Sequence, residues 1–217
     1  MSKRKVIIDC DPGIDDAFAI VAAINEPGFE VLGVHTVSGN VSVEHTTRNT
    51  QGLLYALNSN VPIYRGAHRP LAVDPIYAGD VHGHNGFSGF QFTDDQLNPI
   101  SELTSLQGYY QTLSTIHEPI TIIAIGPLTN VALLIKSYPE LIDKIECLSI
   151  MGGGLKGGNI TVAGEFNFYA DPHAAKIVFE SKIPIIMAGL DVTERAYFKE
   201  EDVLYCKENF GIIGEIL

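Results

Sequence analysis

Short apolar runs rich in valine and isoleucine recur along this chain, each ending near a Gly, Asn or Asp and followed by positions that repeat with helical spacing. The runs are Lys5 to Asp9, Glu30 to Ser38, Pro62 to Gly66, Thr121 to Ile125, Ile145 to Met151 and Ile183 to Ala188, and they predict six strands. Helices are predicted over Asp15 to Asn25, stopped by Pro27-Gly28, and over Val43 to Leu57, capped by Ser42. Four more are predicted over Ser101 to His117, Leu128 to Ser137, Asp171 to Ser181 and Glu200 to Asn209. Strands this uniformly apolar need cover on both faces. The expected class is therefore α/β: a mainly parallel, Rossmann-like sheet with helices on both faces and a site at the carboxyl ends of its strands. At 217 residues, with no repeat or linker, one domain over 1–217 is expected.

The rhythm breaks between Ala67 and Pro99, where Gly79, Gly83, Gly86 and Gly89 interleave with His82, His84, Phe87, Phe90 and Phe92. A loop this long in a compact domain is usually functional, and its aromatic residues argue against disorder, so a lid or substrate-contacting loop is expected. The formal charge of −12 opposes partners bound through their phosphates, which makes nucleic acid and anionic membranes poor candidates and favours an uncharged polar substrate or a cation. Three scattered cysteines, Cys10, Cys147 and Cys206, suggest neither a disulfide scaffold nor a thiolate metal site. With only three apolar residues after the basic start, no signal peptide is expected, and no apolar stretch is long enough to span a bilayer; the expectation is a soluble, cytoplasmic protein.

The polar residues that follow the apolar runs should converge on one rim. The densest group is Asp9-Cys10-Asp11-Pro12-Gly13-Ile14-Asp15-Asp16, four carboxylates in eight residues. Helix capping explains one or two of them. Asp9 and Asp11 alternate on a strand and cannot both be caps, and a cluster of like charges calls for a divalent cation or a polyhydroxy ligand; all-oxygen ligation selects Ca²⁺ or Mg²⁺. In the glycine-rich stretch after Met151, no Gly-Lys-Ser/Thr appears, so a phosphate loop is disfavoured. Asn159, Glu165 and Asn167 fit better as hydroxyl-binding residues, with Glu165 and Asn167 pointing the same way if that segment is extended. His82 or His84 could meet a leaving group if the long loop folds over the rim, whereas His173 reads as structural.

Asp9 to Ala17, Val37-Ser38-Gly39-Asn40, Gly126-Pro127-Leu128-Thr129-Asn130, Met151-Gly152-Gly153-Gly154, Glu165-Phe166-Asn167 and Gly189-Leu190-Asp191 together resemble the inosine-uridine preferring nucleoside hydrolases. The resemblance implies an N-ribohydrolase that cleaves the N-glycosidic bond of a ribonucleoside to ribose and free base, with a Ca²⁺-bound water as nucleophile. It implies Asp11 and Asp16 as calcium ligands together with the carbonyl of Ile125, and Asp11 also as general base. Asp15, Asn40, Asn159, Glu165 and Asn167 would grip the ribose with Met151 near the sugar, His82 would contact the leaving group, and Asp9 would support the site from behind. Dimers or tetramers are implied as well.

Family members carry a further C-terminal region with a His-Asp pair, and no such pair follows Asp191 before Leu217. The resemblance thus also implies a C-terminally short family member, with weaker calcium binding, one wall of the base pocket missing and apolar surface uncovered. Two alternatives stand beside a working hydrolase: a chain that keeps the fold and weak ribose or calcium binding without turnover, and a haloacid-dehalogenase-like phosphatase suggested by Asp-x-Asp after the first strand. Pro12-Gly13 and the two further aspartates fit the phosphatase poorly.

Overall fold

In the computed structural model, which describes residues 3–216, six parallel strands form one sheet. They are β1 (Arg4–Cys10), β2 (Phe29–Thr36), β3 (Ile63–Arg65), β4 (Ile120–Ala124), β5 (Ile145–Met151) and β6 (Ile185–Ala188), in the spatial order β3-β2-β1-β4-β5-β6. The helices are α1 (Ile14–Asn25), α2 (Val43–Ala56), α3 (Gly79–His82), α4 (Ser105–Thr115), α5 (Thr129–Ser137), α6 (Phe166–Ala170), α7 (Pro172–Phe179), α8 (Leu190–Thr193), α9 (Glu200–Asn209) and α10 (Ile212–Ile216). All six predicted strands are present.

Helices α4 and α7 are shorter than the sequence suggested by several residues, for local reasons. Helix α4 begins at Ser105 rather than Ser101 because Thr104 and Gln107 make a reciprocal cap: the Gln107 amide donates to Thr104 Oγ1 and the Thr104 amide to Gln107 Oε1. Helix α7 begins after Asp171, whose carboxylate accepts from the Ala174 amide at 3.0 Å, with Pro172 at the first helical position. Ser42 precedes α2 as expected, but its hydroxyl makes no cap bond to the helix backbone.

Each face of the sheet carries its own core. On one, Ile7, Ile122 and Leu148 pack under α4, α5 and α7 through Leu113, Leu134 and Val178. On the other, Ile8, Val34 and Ile63 pack under α1, α2 and α10 through Ile20, Leu53 and Ile213. That second cover is concentrated over β1 to β3. Toward the other edge Ile186 of β6 is 66% exposed, and Ile8, Ile123 and Ile125 floor an apolar groove of about 440 Å³ beside α1. In the long loop, Phe87 and Phe92 are buried in the second core and anchor it there.

His35 on β2 is fully buried between the rings of Tyr64 and Tyr109, with Nδ1 2.9 Å from Ser105 Oγ and Nε2 without a hydrogen-bond partner among the described residues. Burial lowers its pKa to about 3, so the fold holds the neutral imidazole. Because the folded value lies below the unfolded one of about 6.5, the contribution of His35 to stability is complete above that pH and is lost as pH falls toward 3. Urea unfolding of the wild type and of His35→Leu at pH 7 and pH 5 is expected to show a loss on acidification about 2 kcal/mol smaller in the variant. Parallel pH profiles would contradict the buried neutral state.

Candidate active site

Chain connections leave β1 toward β2 on one side, while the neighbouring β4 leads away to β5 on the other, so the strand order reverses between β1 and β4. Open parallel sheets bind ligands at such a reversal, beyond the carboxyl ends of the strands. Here the acidic turn after β1 meets Ile125-Gly126 after β4, and the Ile125 amide donates to the Asp9 carbonyl at 2.8 Å.

Asp11 is fully buried just past β1. Its Oδ2 accepts from the Asn40 amide at 2.6 Å, while Oδ1 is buried with no hydrogen-bond partner among the described residues. Asp16, in the first turn of α1, accepts from the amides of Asp11 (3.3 Å) and Gly13 (3.4 Å) and from Asn40 Nδ2 (3.4 Å). Asn40 Nδ2 also lies 3.2 Å from the Asp11 carbonyl, so Asp11, Asp16 and Asn40 form one bonded group. Backbone approaches this group closely from two sides: a Cβ at Gly39 would collide with Asp11 Oδ2, and one at Gly126 would lie 2.5 Å from Asp11 Oδ1. Only glycine leaves room for the carboxylate at either place.

A second group adjoins the first through Ile125-Gly126. Asn167 Nδ2 donates to the Ile125 carbonyl (2.9 Å) and the Met151 carbonyl (3.2 Å) and lies 3.3 Å from Met151 Sδ. Glu165 is buried beside it, and the segment is helical here, not extended. Glu165 caps α6, accepting from the amides of Gly153 (2.8 Å), Asn167 (3.0 Å) and Phe168 (3.2 Å), which places Asn167 in a helical first turn. The physical cause is the set of free N–H groups at the start of α6, which the carboxylate satisfies. Gly153 reaches it at φ +68°, a left-handed conformation that favours glycine.

The remaining sequence candidates lie further out. Asp15 is on the exposed side of α1, with Oδ1 3.9 Å from His82 Nδ1; the long loop thus brings His82 to the turn at Gly13, while His84 is exposed. Asn159 is exposed, and its Oδ1 accepts from the Phe166 amide at 2.9 Å. Asp9, expected to share a face with Asp11, has separate partners: Tyr109 Oη donates to its Oδ2 at 2.7 Å and Asn130 Nδ2 at 3.1 Å. Asp11 lies beyond the end of β1, where the strand's alternation no longer applies. Sequence reasoning gave no role to Tyr109, mid-helix and a hundred positions away, and took Asn130 only as part of a motif. A concavity of about 540 Å³ lined by Lys5, Tyr64, His117 and Glu118 lies at the opposite, amino end of β1.

Electrostatically the rim is under tension. Burial, then the charge of Asp16, raises the Asp11 carboxyl well above the usual carboxylate range; burial, then the charge of Asp15, does the same for Asp16. Burial pushes Asp9 up to about 7, opposed by the bonds from Tyr109 and Asn130. Among the described residues no group of three or more His, Cys, Asp or Glu side chains is arranged to hold a metal ion. The donor set nevertheless suits a hard cation: Asp11 and Asp16 offer two carboxylates, and Asp11 Oδ1 is buried without a hydrogen-bond partner among the described residues. For both aspartates the folded value lies above the unfolded one, so each ionised group opposes folding at neutral pH and the opposition fades as pH falls through the folded value. In chelator-containing buffer at pH 7, Asp16→Asn is expected to raise the unfolding free energy by about 1–3 kcal/mol in urea melts; a lower value would contradict the strain.

The sequence model of the family described as inosine-uridine preferring nucleoside hydrolase matches residues 6–215. The pyrimidine-specific ribonucleoside hydrolase RihA of Escherichia coli (strain SMS-3-5 / SECEC) is 45% identical over 210 residues, covering 96% of this chain and 66% of that protein. The non-specific ribonucleoside hydrolase RihC of Klebsiella pneumoniae (strain 342) is 48% identical over 191 residues, covering 88% of this chain and 62% of its own length. This chain therefore spans less than two thirds of either relative. Among solved structures, a purine-preferring ribonucleoside hydrolase from Gardnerella vaginalis superposes with a TM-score of 0.92 at 27% identity, over 98% of this chain and 70% of that one. A plant nucleoside hydrolase gives 0.89 at 31%, over 98% and 69%. The chain belongs to the inosine-uridine preferring nucleoside hydrolase family.

Proposed function

We propose that the protein is an N-ribohydrolase that splits ribonucleosides into ribose and free base at the rim between β1 and β4, using Ca²⁺. The observation that carries this reading is the unpartnered, buried Asp11 Oδ1, set in a group with Asp16 and Asn40 and flanked by glycines that leave it space. The family match and the ribonucleoside hydrolases it resembles support the reaction class. Those relatives are described variously as pyrimidine-specific, non-specific and purine-preferring, so the shared substrate feature is the ribonucleoside and not one base.

Asp11, Asp16 and the Ile125 carbonyl would hold the cation, an all-oxygen set of the kind calcium takes. When bound, Ca²⁺ offsets the carboxylate repulsion and lowers the pKa of water in its shell. Asp11, with one free oxygen, takes the proton from the attacking water as general base. Asp15, Asn40, Asn159, Glu165 and Asn167 bind the ribose hydroxyls, with Met151 against the sugar, and so hold the anomeric carbon in place. Glu165 and Asn167 are already fixed by backbone bonds, so they need little reorganisation. Bond cleavage leaves oxocarbenium-like positive charge on the ribose, which a ring of carboxylates and amide oxygens stabilises more in the transition state than in the ground state. His82, carried to the rim by the long loop, faces the departing base. Asp9 supports the turn from behind. The exposed Tyr197, Phe198, Leu204 and Tyr205 near α9 favour self-association into the dimers or tetramers expected from sequence.

A second reading, fold and weak ligand binding without turnover, is favoured by one observation: a third acidic ligand is missing among the described residues. Incubation of the purified chain with inosine or uridine in CaCl₂ is expected to release ribose, with Asp11→Ala slower by about a hundredfold or more. Gly126→Ala, whose new methyl displaces Asp11, should lose about tenfold or more while its circular dichroism stays unchanged. Release no greater than that of Asp11→Ala would overturn the hydrolase reading, and heat on calorimetric titration with ribose or Ca²⁺ would then leave the binding-only one.

A further inference from the structure

Beneath the acidic turn lies a second, wholly buried polar group whose members touch none of the residues assigned above except Asp9. Asn130, at the start of α5, uses both ends of its amide on three different chain segments. Its Nδ2 donates to Asp9 Oδ2 at 3.1 Å and to the carbonyl of Thr36, the last residue of β2, at 3.0 Å. Its Oδ1 accepts from the Ala67 amide, just beyond β3, at 2.8 Å. Gly66 admits this arrangement because any side chain there would collide with the Asn130 amide. From α4, Tyr109 Oη donates to the same Asp9 oxygen at 2.7 Å, its ring held against His35 with centroids 4.0 Å apart. Asn130 and Tyr109 are 3% and 0% exposed, so water cannot substitute for either donor.

What these bonds join are the exits of the strands that build the rim. Asp9 is two residues before Asp11, and its carbonyl receives the Ile125 amide. Thr36 leads through Val37, whose amide donates to the Cys10 carbonyl, into Ser38-Gly39-Asn40. Ala67 closes the circuit, because its carbonyl accepts from the Ser38 amide at 3.0 Å. A shift of Asn130 would therefore move the segments bearing Asp11, Asn40 and Ile125 relative to one another.

We propose that Asn130 and Tyr109 are positioning residues for the rim, acting through Asp9 and the ends of β2 and β3 to hold Asp11, Asn40 and the Ile125 carbonyl in register. The importance of that register for catalysis rests on the hydrolase reading; the register itself does not. Removing a donor from a buried carboxylate and leaving the Thr36 carbonyl unpaired should loosen the strand exits locally while the two apolar cores stay closed.

Amide hydrogen exchange by NMR tests this on Asn130→Ala and on Tyr109→Phe, the latter keeping the ring and removing only the hydroxyl. The Asn40 and Ile125 amides are expected to exchange about tenfold or more faster than in the wild type, with those of Ile122 and Val178 unchanged. Unchanged exchange at Asn40 and Ile125, or one common acceleration across all four amides, would overturn the proposal. Kinetics supply the second readout: kcat for ribose release falling about tenfold with KM within about threefold supports positioning, and a raised KM with kcat retained counts against it. Should the wild type release no ribose, the hydrolase reading is lost and the exchange measurement still decides the proposal. Should Asn130→Ala not fold, Tyr109→Phe decides it.

Discussion

The burial of two carboxylates at the reversal of strand order, sharpened by neighbouring aspartate charge, is the constraint on which the rest of the molecule depends. Asp11 and Asp16 are excluded from water, Asp11 beside the charge of Asp16 and Asp16 beside that of Asp15, with no lysine or arginine among their bonded partners. The fold tolerates this because its backbone is arranged around them: amides of Asn40, Asp11 and Gly13 point at the oxygens, and Gly39 and Gly126 withdraw side-chain bulk. What the backbone leaves undone, above all the lone Asp11 Oδ1, is the capacity to bind something positive. Local instability and binding chemistry are here one property, as is common where stability is given up for function.

The architecture that holds the constraint was readable from apolar periodicity, because each strand is a short Val/Ile run ended by turn residues and both faces are cored. The acidic turn was readable too, since four carboxylates between a strand and a helix have few structural explanations. Less legible were features set by partners distant in sequence. Tyr109 looks like any helical aromatic residue until α4 brings it to Asp9, a hundred positions away. The local conformation around Glu165 and Asn167 was not legible either; the Glu165 carboxylate caps the free amides of Asn167 and Phe168, so a helix starts there, and it also accepts from the distant Gly153 amide. The aromatic residues of the long loop illustrate the same limit, since Phe87 and Phe92 found core to fill while His82 alone came to the acidic turn. Composition could not sort them.

Cover on the second face is uneven, dense over β1 to β3 and thin toward β6, where Ile186 is exposed and an apolar groove runs beside α1. Parallel strands are ordinarily buried on both sides, so this half-face is the least typical part of the structure. The side chains of Asp11, Asp16, Asn40, Asn167 and Glu165 are fixed by hydrogen bonds among the described residues, while Ile125, whose carbonyl accepts from Asn167, also floors the groove.

Where a hard cation sits tests the chemistry of the acidic turn most directly. Crystals grown with CaCl₂ and ribose, measured for anomalous difference density, are predicted to show one ion about 2.3–2.6 Å from oxygens of Asp11 and Asp16, with the sugar over Asn40 and Asn167. Density elsewhere on the surface, with the Asp11 and Asp16 carboxylates unoccupied, would contradict it.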